Sequence, residues 1–403
     1  MLASQLLKIC VFSATVSFAL SLFIVWSQKW HGKHSYDHDL DGVQKFHATA
    51  VPRIGGIAVI AGILFGLFFF VYMYPGEISE SRFSQILMLL LASLPAFSAG
   101  IIEDVTKIVS VRVRLAATVC SSLIASVLLG ATVNELDIWG VDSLLALAPV
   151  AIIVTAVVVA GGANAINIID GFNGLSSSVI VVMAAAFGVV AWQVGDGFVA
   201  ILSVLCVGAA IGFLLVNYPA GKLFLGDGGA YFCGFWVSEI AVLLLVRNTS
   251  VNAWQVLSIC AFPVIEVIFS MYRRKIIKKI SVGAPDALHL HTLIYRRTVS
   301  RFVAHNPNKP WRRNAAVAFV MLPWIAMAAA LSVIAGGTIV GGVLIVIAQL
   351  LTYIVVYRRL VRGRWYLWTR SFGKTATISN LLKKEISPHK TAKIAAKMDS
   401  KSR

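Results

Sequence analysis

Eleven apolar stretches dominate this chain, each with the length of about 20 residues that a helix needs to cross a hydrocarbon layer about 30 Å thick. They lie near 5–27, 54–74, 84–102, 113–133, 143–162, 175–194, 198–216, 229–247, 254–272, 314–334 and 338–357. Inside lipid, backbone amides find no water and must be satisfied within the segment, which helices achieve and open strands do not. The predicted fold class is therefore all-α, a polytopic integral membrane protein with about eleven transmembrane helices. Charged residues make up 13% of the chain, about half the fraction of a soluble globular domain. The first stretch is too long for a leader's apolar region and no small-residue cleavage pattern follows it, so it reads as a span.

Charge then orients the spans. Of 35 Lys and Arg residues, 32 fall in the loops after spans 1, 3, 5, 7 and 9 and in the tail, while Lys8, Arg82 and Arg247 stand on the other side. By the positive-inside rule the amino terminus faces outward and the carboxyl terminus faces the cytoplasm. The net charge of +17 would suit nucleic acid, but charge confined to particular loops reads as topology, and no nucleic-acid partner is expected. Residues 1–357 are read as a single membrane domain with cytoplasmic loops at 28–53, 103–114, 163–174, 217–228 and 273–313. Residues 358–403 form a basic cytoplasmic tail suited to anionic headgroups, which makes membrane lipids partners. Cys10, Cys120, Cys206, Cys233 and Cys260 each sit in an apolar run without ligand spacing, so neither a disulfide nor a metal role is expected of them.

The outward loops, 75–83, 134–142, 195–197 and 248–253, are short, whereas the cytoplasmic loops carry nearly all polar residues at the membrane face. The first has Lys45, Phe46 and His47, followed by Pro52-Arg53-Ile54-Gly55-Gly56, cations beside glycines that let backbone N–H groups approach an anion. Next comes Glu103-Asp104, trailed by Lys107, Arg112 and Arg114. Adjacent carboxylates repel unless a cation or proton lies between them, and a hard divalent ion bound through carboxylates and substrate phosphates would suit them. The third loop spaces Asn167, Asp170 and Asn173 at i, i+3 and i+6, on one face if helical and along a turn if glycines break the helix. The fourth has Asn217 and then Phe224-Leu225-Gly226-Asp227-Gly228-Gly229, and the fifth His289-Leu290-His291. No third histidine or cysteine completes a zinc site there. Any one of these loops could be a solvated helix end. Acids from three loops, cations from two more and amides able to read a base, all on one side, point to an enzyme acting on a phosphorylated cytoplasmic substrate at the lipid surface.

In their order the motifs resemble those of the polyprenyl-phosphate N-acetylhexosamine-1-phosphate transferases, over about residues 44 to 297. His47 with Pro52-Arg53-Ile54-Gly55-Gly56 is similar to that family's first cytoplasmic loop, Glu103-Asp104 to its acidic pair, and 164–175 to its N-x-x-N-x-x-D-G-x-D/N-G-L signature. Phe224-Leu225-Gly226-Asp227 is similar to its F-x-G-D, and His289-Leu290-His291 to its histidine loop. The resemblance implies attack of an undecaprenyl-type lipid phosphate on the β-phosphorus of a UDP-N-acetylhexosamine, giving lipid-diphosphate-sugar and UMP at the cytoplasmic face of a bacterial inner membrane. It implies Mg²⁺ or Mn²⁺ as cofactor, with Asp227 as metal ligand and Asp104 as a second ligand or the group that deprotonates or positions the lipid phosphate. Asp170 and Asn167 would line the same centre. Asn217, Phe224 and Asn173 match positions facing the uridine, and His47, Arg53, His289 and His291 would contact phosphates or sugar. Glu103 stands where most members have Asp, and Asn173 where many have Asp, which favours base recognition at the latter. Direct displacement and an aspartyl-phosphate intermediate both remain open, and a homodimer is compatible with the resemblance.

Other readings stand beside this one. The spaced histidine pair is closer to enzymes that start O-antigen or other surface glycans than to the peptidoglycan phospho-N-acetylmuramoyl-pentapeptide transferase. A transporter or flippase would place its charges near the bilayer midplane in related halves, whereas here they gather at one face and no halves are evident.

Overall fold

The computed structural model describes residues 2–36, 50–77, 79–279, 281 and 286–363. In chain order the helices are α1 (Leu2–Trp26), α2 (Gln28–Ser35), α3 (Gly55–Met73), α4 (Glu80–Thr106), α5 (Val111–Leu129), α6 (Val141–Leu145), α7 (Ala148–Ile169), α8 (Leu175–Gln193), α9 (Gly197–Asn217), α10 (Gly226–Arg247), α11 (Ala253–Tyr272), α12 (Leu290–Ile294), α13 (Ser300–Phe302), α14 (Trp311–Ala335) and α15 (Ile339–Val361). Eleven helices are long and apolar enough to cross a membrane. The protein is an all-α, polytopic membrane protein. Two compact units emerge, Met1–Leu351 and the segment from Thr352 onward.

Most helices match the apolar windows to within a few residues. The clearest departure is the fifth window, 143–162, where a short α6 precedes α7. Pro149 sits in the first turn of α7, the helix position where a missing N–H costs nothing, and the helix then runs on past the window to Ile169. Apolarity alone underestimates that end because Asn164 satisfies its amide within the helix, donating to the Ala160 carbonyl at 2.7 Å.

Within the first unit, α10 is the hub, in contact with α3, α4, α5, α7, α8, α9 and α11. Its window is 83% buried, more than that of any other candidate span, and the Trp236 ring is wholly enclosed. Apolar burial does not itself drive helices together in lipid, so close approach and interhelical hydrogen bonds carry the packing. Along the neighbouring α1–α9 seam, Ser13 Oγ donates to the carbonyls of Gly62 and Leu205 at 2.9 and 3.0 Å. Gly208 and Gly212 there press against α1 backbone atoms, leaving no room for a Cβ. The outcome is a tightly held α10 whose first turn, carrying Asp227, faces the polar loops.

Candidate active site

The site is assembled on the amino-terminal end of α10. Residues 52–56 pair with the segment that enters this helix: Phe224 N donates to Pro52 O at 2.9 Å, and Gly55 N and Gly56 N donate to Phe224 O and Leu225 O, both at 3.0 Å. That pairing sets Arg53 over the helix start. Gly226 makes the turn possible, with φ of +77° and a position at which a Cβ would lie 2.6 Å from Asp104 Oδ2. Only glycine adopts this conformation without strain.

Asp104, buried in the last turns of α4, reaches this same helix end. Its Oδ1 accepts from Asp227 N at 3.0 Å and its Oδ2 from Gly228 N at 2.9 Å. Two orphan amides of the helix start are thereby satisfied by a carboxylate from another helix, placed where the macrodipole favours negative charge. Arg53 Nε lies 3.4 Å from Asp104 Oδ1. Glu103 points elsewhere: its Oε2 accepts from Val109 N at 2.7 Å and closes the α4–α5 turn. The two neighbouring acids therefore do different work, one capping α10 and one fixing a loop.

Asp227 gathers three donors. Arg53 Nη2 donates to its Oδ1 at 3.0 Å, Asn167 Nδ2 to the same oxygen at 3.1 Å, and Arg114 Nη1 to its Oδ2. The Asp227 side chain is 11% exposed. Arg114, from the first turn of α5, belongs to the site although sequence reasoning noted it only as a cation following the acidic pair. Two guanidinium groups around one carboxylate at a helix amino terminus form a surface suited to a polyanion.

The 164–175 segment resolves into both forms its spacing allowed. Asn167 lies on the last turn of α7, Asp170 ends that helix, and Asn173 sits in the turn leading to α8. Ser176 Oγ donates to Asp170 Oδ1. Burial pushes the Asp170 carboxyl up to about 6, against the opposing pull of the Ser176 hydroxyl and the Arg53 charge. Asn173 is buried and serves the backbone: its N–H donates to Asn314 Oδ1 at 2.6 Å and its Nδ2 to Pro219 O at 2.9 Å. Asn217 accepts from Gly174 N at 2.6 Å and donates to Leu223 O at 2.7 Å. These two amides lock the third and fourth polar loops together. Phe224, beside Asn217's partner Leu223, is partly exposed.

The histidines come from the start of α12. Their rings stack in parallel with centroids 5.3 Å apart. His289 Nδ1 lies 2.8 Å from Oε1 of Glu266, a fully buried carboxylate of α11. Glu266 also accepts from Leu290 N, so it anchors the loop as well as the ring. The His291 ring meets Phe172 edge-on at 5.6 Å, beside Gly171, and its Nδ1 is buried without a hydrogen-bond partner among the described residues. Burial brings its pKa down to about 3. Glu266 escaped sequence reasoning, although an acid within an apolar window was its visible signal. His47 lies outside the described residues.

Among the described residues no three His, Cys, Asp or Glu side chains cluster as a metal cage. Magnesium does not require one, because it commonly uses one or two carboxylates, substrate phosphates and water. Asp227, whose side chain is 11% exposed, fits that requirement better than the wholly buried Asp104, both of whose oxygens hold backbone N–H groups.

Comparison with known proteins bears on this arrangement. Residues 86–245 match the family model described as Glycosyl transferase family 4. Over those residues, from α4 to α10, the chain is similar to glycosyl transferase family 4. The family match takes in Asp104, Arg114, Asn167, Asp170, Asn217 and Asp227 and leaves Arg53 and the histidine loop outside. A probable undecaprenyl-phosphate N-acetylglucosaminyl 1-phosphate transferase of Bacillus subtilis (strain 168) is 27% identical over 252 residues, which are 62% of this chain and 66% of that protein. The phospho-N-acetylmuramoyl-pentapeptide-transferase of the same bacterium is 29% identical over 205 residues, 48% of this chain and 61% of that protein. The undecaprenyl-phosphate alpha-N-acetylglucosaminyl 1-phosphate transferase of Yersinia pestis is 28% identical over 269 residues, 64% of this chain and 69% of its own length. The matched segments thus span 61% to 69% of these relatives' own lengths.

Proposed function

We propose that this protein transfers an N-acetylhexosamine 1-phosphate from a UDP-sugar to a polyprenyl phosphate such as undecaprenyl phosphate. A phosphate oxygen of the lipid attacks the β-phosphorus, the bond to the bridging oxygen breaks, and UMP leaves with that electron pair. The products are polyprenyl-diphosphate-sugar and UMP. The observation that carries this reading is the Asp227 carboxylate at the amino terminus of α10, surrounded by Arg53, Arg114 and Asn167.

Each part of the arrangement suits a diphosphate. Arg53 and Arg114 supply planar donors for phosphate oxygens, and the helix end adds partial positive charge. A divalent cation, Mg²⁺ or Mn²⁺, held by Asp227 would neutralise charge building on the departing UMP. Asp170 lies close enough to Arg53 for its charge to count in the carboxyl's ionisation; with a pKa of about 6 it is mostly ionised at pH 7.5 and can accept a proton or orient a phosphate. Phe224 offers a face for a base, while Asn173 and Asn217 hold the loops behind it. His291, uncharged at neutral pH, offers a hydrogen bond rather than a positive charge.

The positive-inside split supports a cytoplasmic site in a bacterial inner membrane, with the amino terminus outside. N-acetylglucosamine is the first donor to test, since two of the relatives carry that sugar in their names; starting an O-antigen or another surface glycan is the cellular role we assign. The test supplies purified protein, undecaprenyl phosphate and Mg²⁺ with a panel of UDP-N-acetyl sugars, including UDP-N-acetylmuramoyl-pentapeptide, and measures UMP. Release with UDP-N-acetylglucosamine and none with the muramoyl donor is the expected result. Release with the muramoyl donor alone would move the protein to the peptidoglycan branch.

A further inference from the structure

Resting on that reading, we propose that Arg114 holds the place on Asp227 that the divalent cation must take. The donor's diphosphate draws Arg114 away, which makes cation binding depend on nucleotide binding. Asp227 Oδ1 is shared by Arg53 and Asn167, whereas Arg114 is bonded to Oδ2. Oδ2 is therefore the oxygen that a single side-chain movement exposes. Arg53 is held by two carboxylates, its Nη2 donating to Asp227 and its Nε facing Asp104 Oδ1 at 3.4 Å.

Arg114 has more to gain by moving. Its Nε is buried without a hydrogen-bond partner among the described residues. A guanidinium presents its donors as a rigid fork, which a phosphate can fill in bidentate fashion. Turning from Asp227 to a diphosphate would satisfy Nε and release a carboxylate oxygen for the metal in one movement. Without nucleotide, the same guanidinium repels an incoming cation and occupies its ligand. Coupling of this kind is reciprocal: the factor by which nucleotide tightens the metal is the factor by which metal tightens the nucleotide.

The experiment measures Mn²⁺ binding by electron paramagnetic resonance on purified full-length protein, with and without UDP. For the wild type, UDP should tighten Mn²⁺ by about tenfold or more, within the usual range of coupling between sites. Arg114→Gln should bind Mn²⁺ alone about tenfold tighter than wild type and gain less than about threefold from UDP, because the competitor has gone. Arg114→Lys guards against a folding defect in the glutamine variant. It keeps a cation on Asp227 and hence weak binding of Mn²⁺ alone, but lacks the fork and should also gain less than about threefold from UDP. Wild-type coupling retained in both variants would overturn the role of Arg114 while leaving the proposed activity standing. Absence of Mn²⁺ binding to the wild type even with UDP would instead contradict the reading of the site itself, and this proposal with it.

Discussion

Asp104 shows how one side chain can be essential before any chemistry begins. Both its oxygens accept amides from the first turn of α10, and leaving a buried donor unsatisfied costs about 1–3 kcal/mol. Asp104→Ala should therefore lower the melting midpoint by several degrees in detergent, and Asp104→Asn, which keeps one acceptor, by less. Circular dichroism melts check the order. Asp170 makes a different prediction. Its folded pKa of about 6 stands above the usual carboxylate value of 3.8, so between these values the folded protein binds more protons than the unfolded one. The contribution of Asp170 to stability is thus largest at the acid end of this window and falls as pH rises through about 6. Asp170→Asn should flatten that part of the stability profile, measured by chemical unfolding at pH 4.5 and 7; an unchanged profile would contradict the shift. The roles of Asn173 and Asn217 were not legible in sequence. Their spacing announced polar groups near a ligand, but only the fold shows their hydrogen bonds directed to neighbouring loop backbones.

At the scale of elements, the site depends on how closely loop, helix start and helix end meet. Gly226→Ala would place a Cβ against Asp104 and require a left-handed conformation, a change that costs at least about 1 kcal/mol. We expect a lower melting midpoint together with a severalfold loss of turnover, because the displaced helix start carries Asp227. A variant matching wild type in both would remove Gly226 from the account. The apolar windows made the long helices legible, and the glycine-framed polar runs marked the ends where chemistry gathers. Arg114 and Glu266 were harder to place. Arg114 looked like one more juxtamembrane cation, and nothing in linear order links it to Asp227, 113 residues later. Glu266 lay inside an apolar window, and its pairing with His289 across 23 residues depends on the path the chain takes after α11.

Over the whole molecule, the asymmetry of Lys and Arg is the argument for sidedness. It was visible in sequence because positive charge resists translocation, a constraint that acts on the chain before folding. Sidedness yields a direct prediction. Trp139, fully exposed in the segment before α6, should as Trp139→Cys react with a membrane-impermeant maleimide from outside intact cells. Lys107→Cys should react only after the cells are opened. The reverse pattern would invert the topology. The central claim is that Asp227, held between two arginines at the hub helix, organises phosphoryl transfer, and UMP release by Asp227→Asn tests it most directly. The account predicts that turnover with UDP-N-acetylglucosamine and undecaprenyl phosphate falls by at least about a hundredfold, the scale on which removing one electrostatic stabiliser acts, while the purified variant keeps its helical spectrum. Full turnover in that folded variant would contradict it.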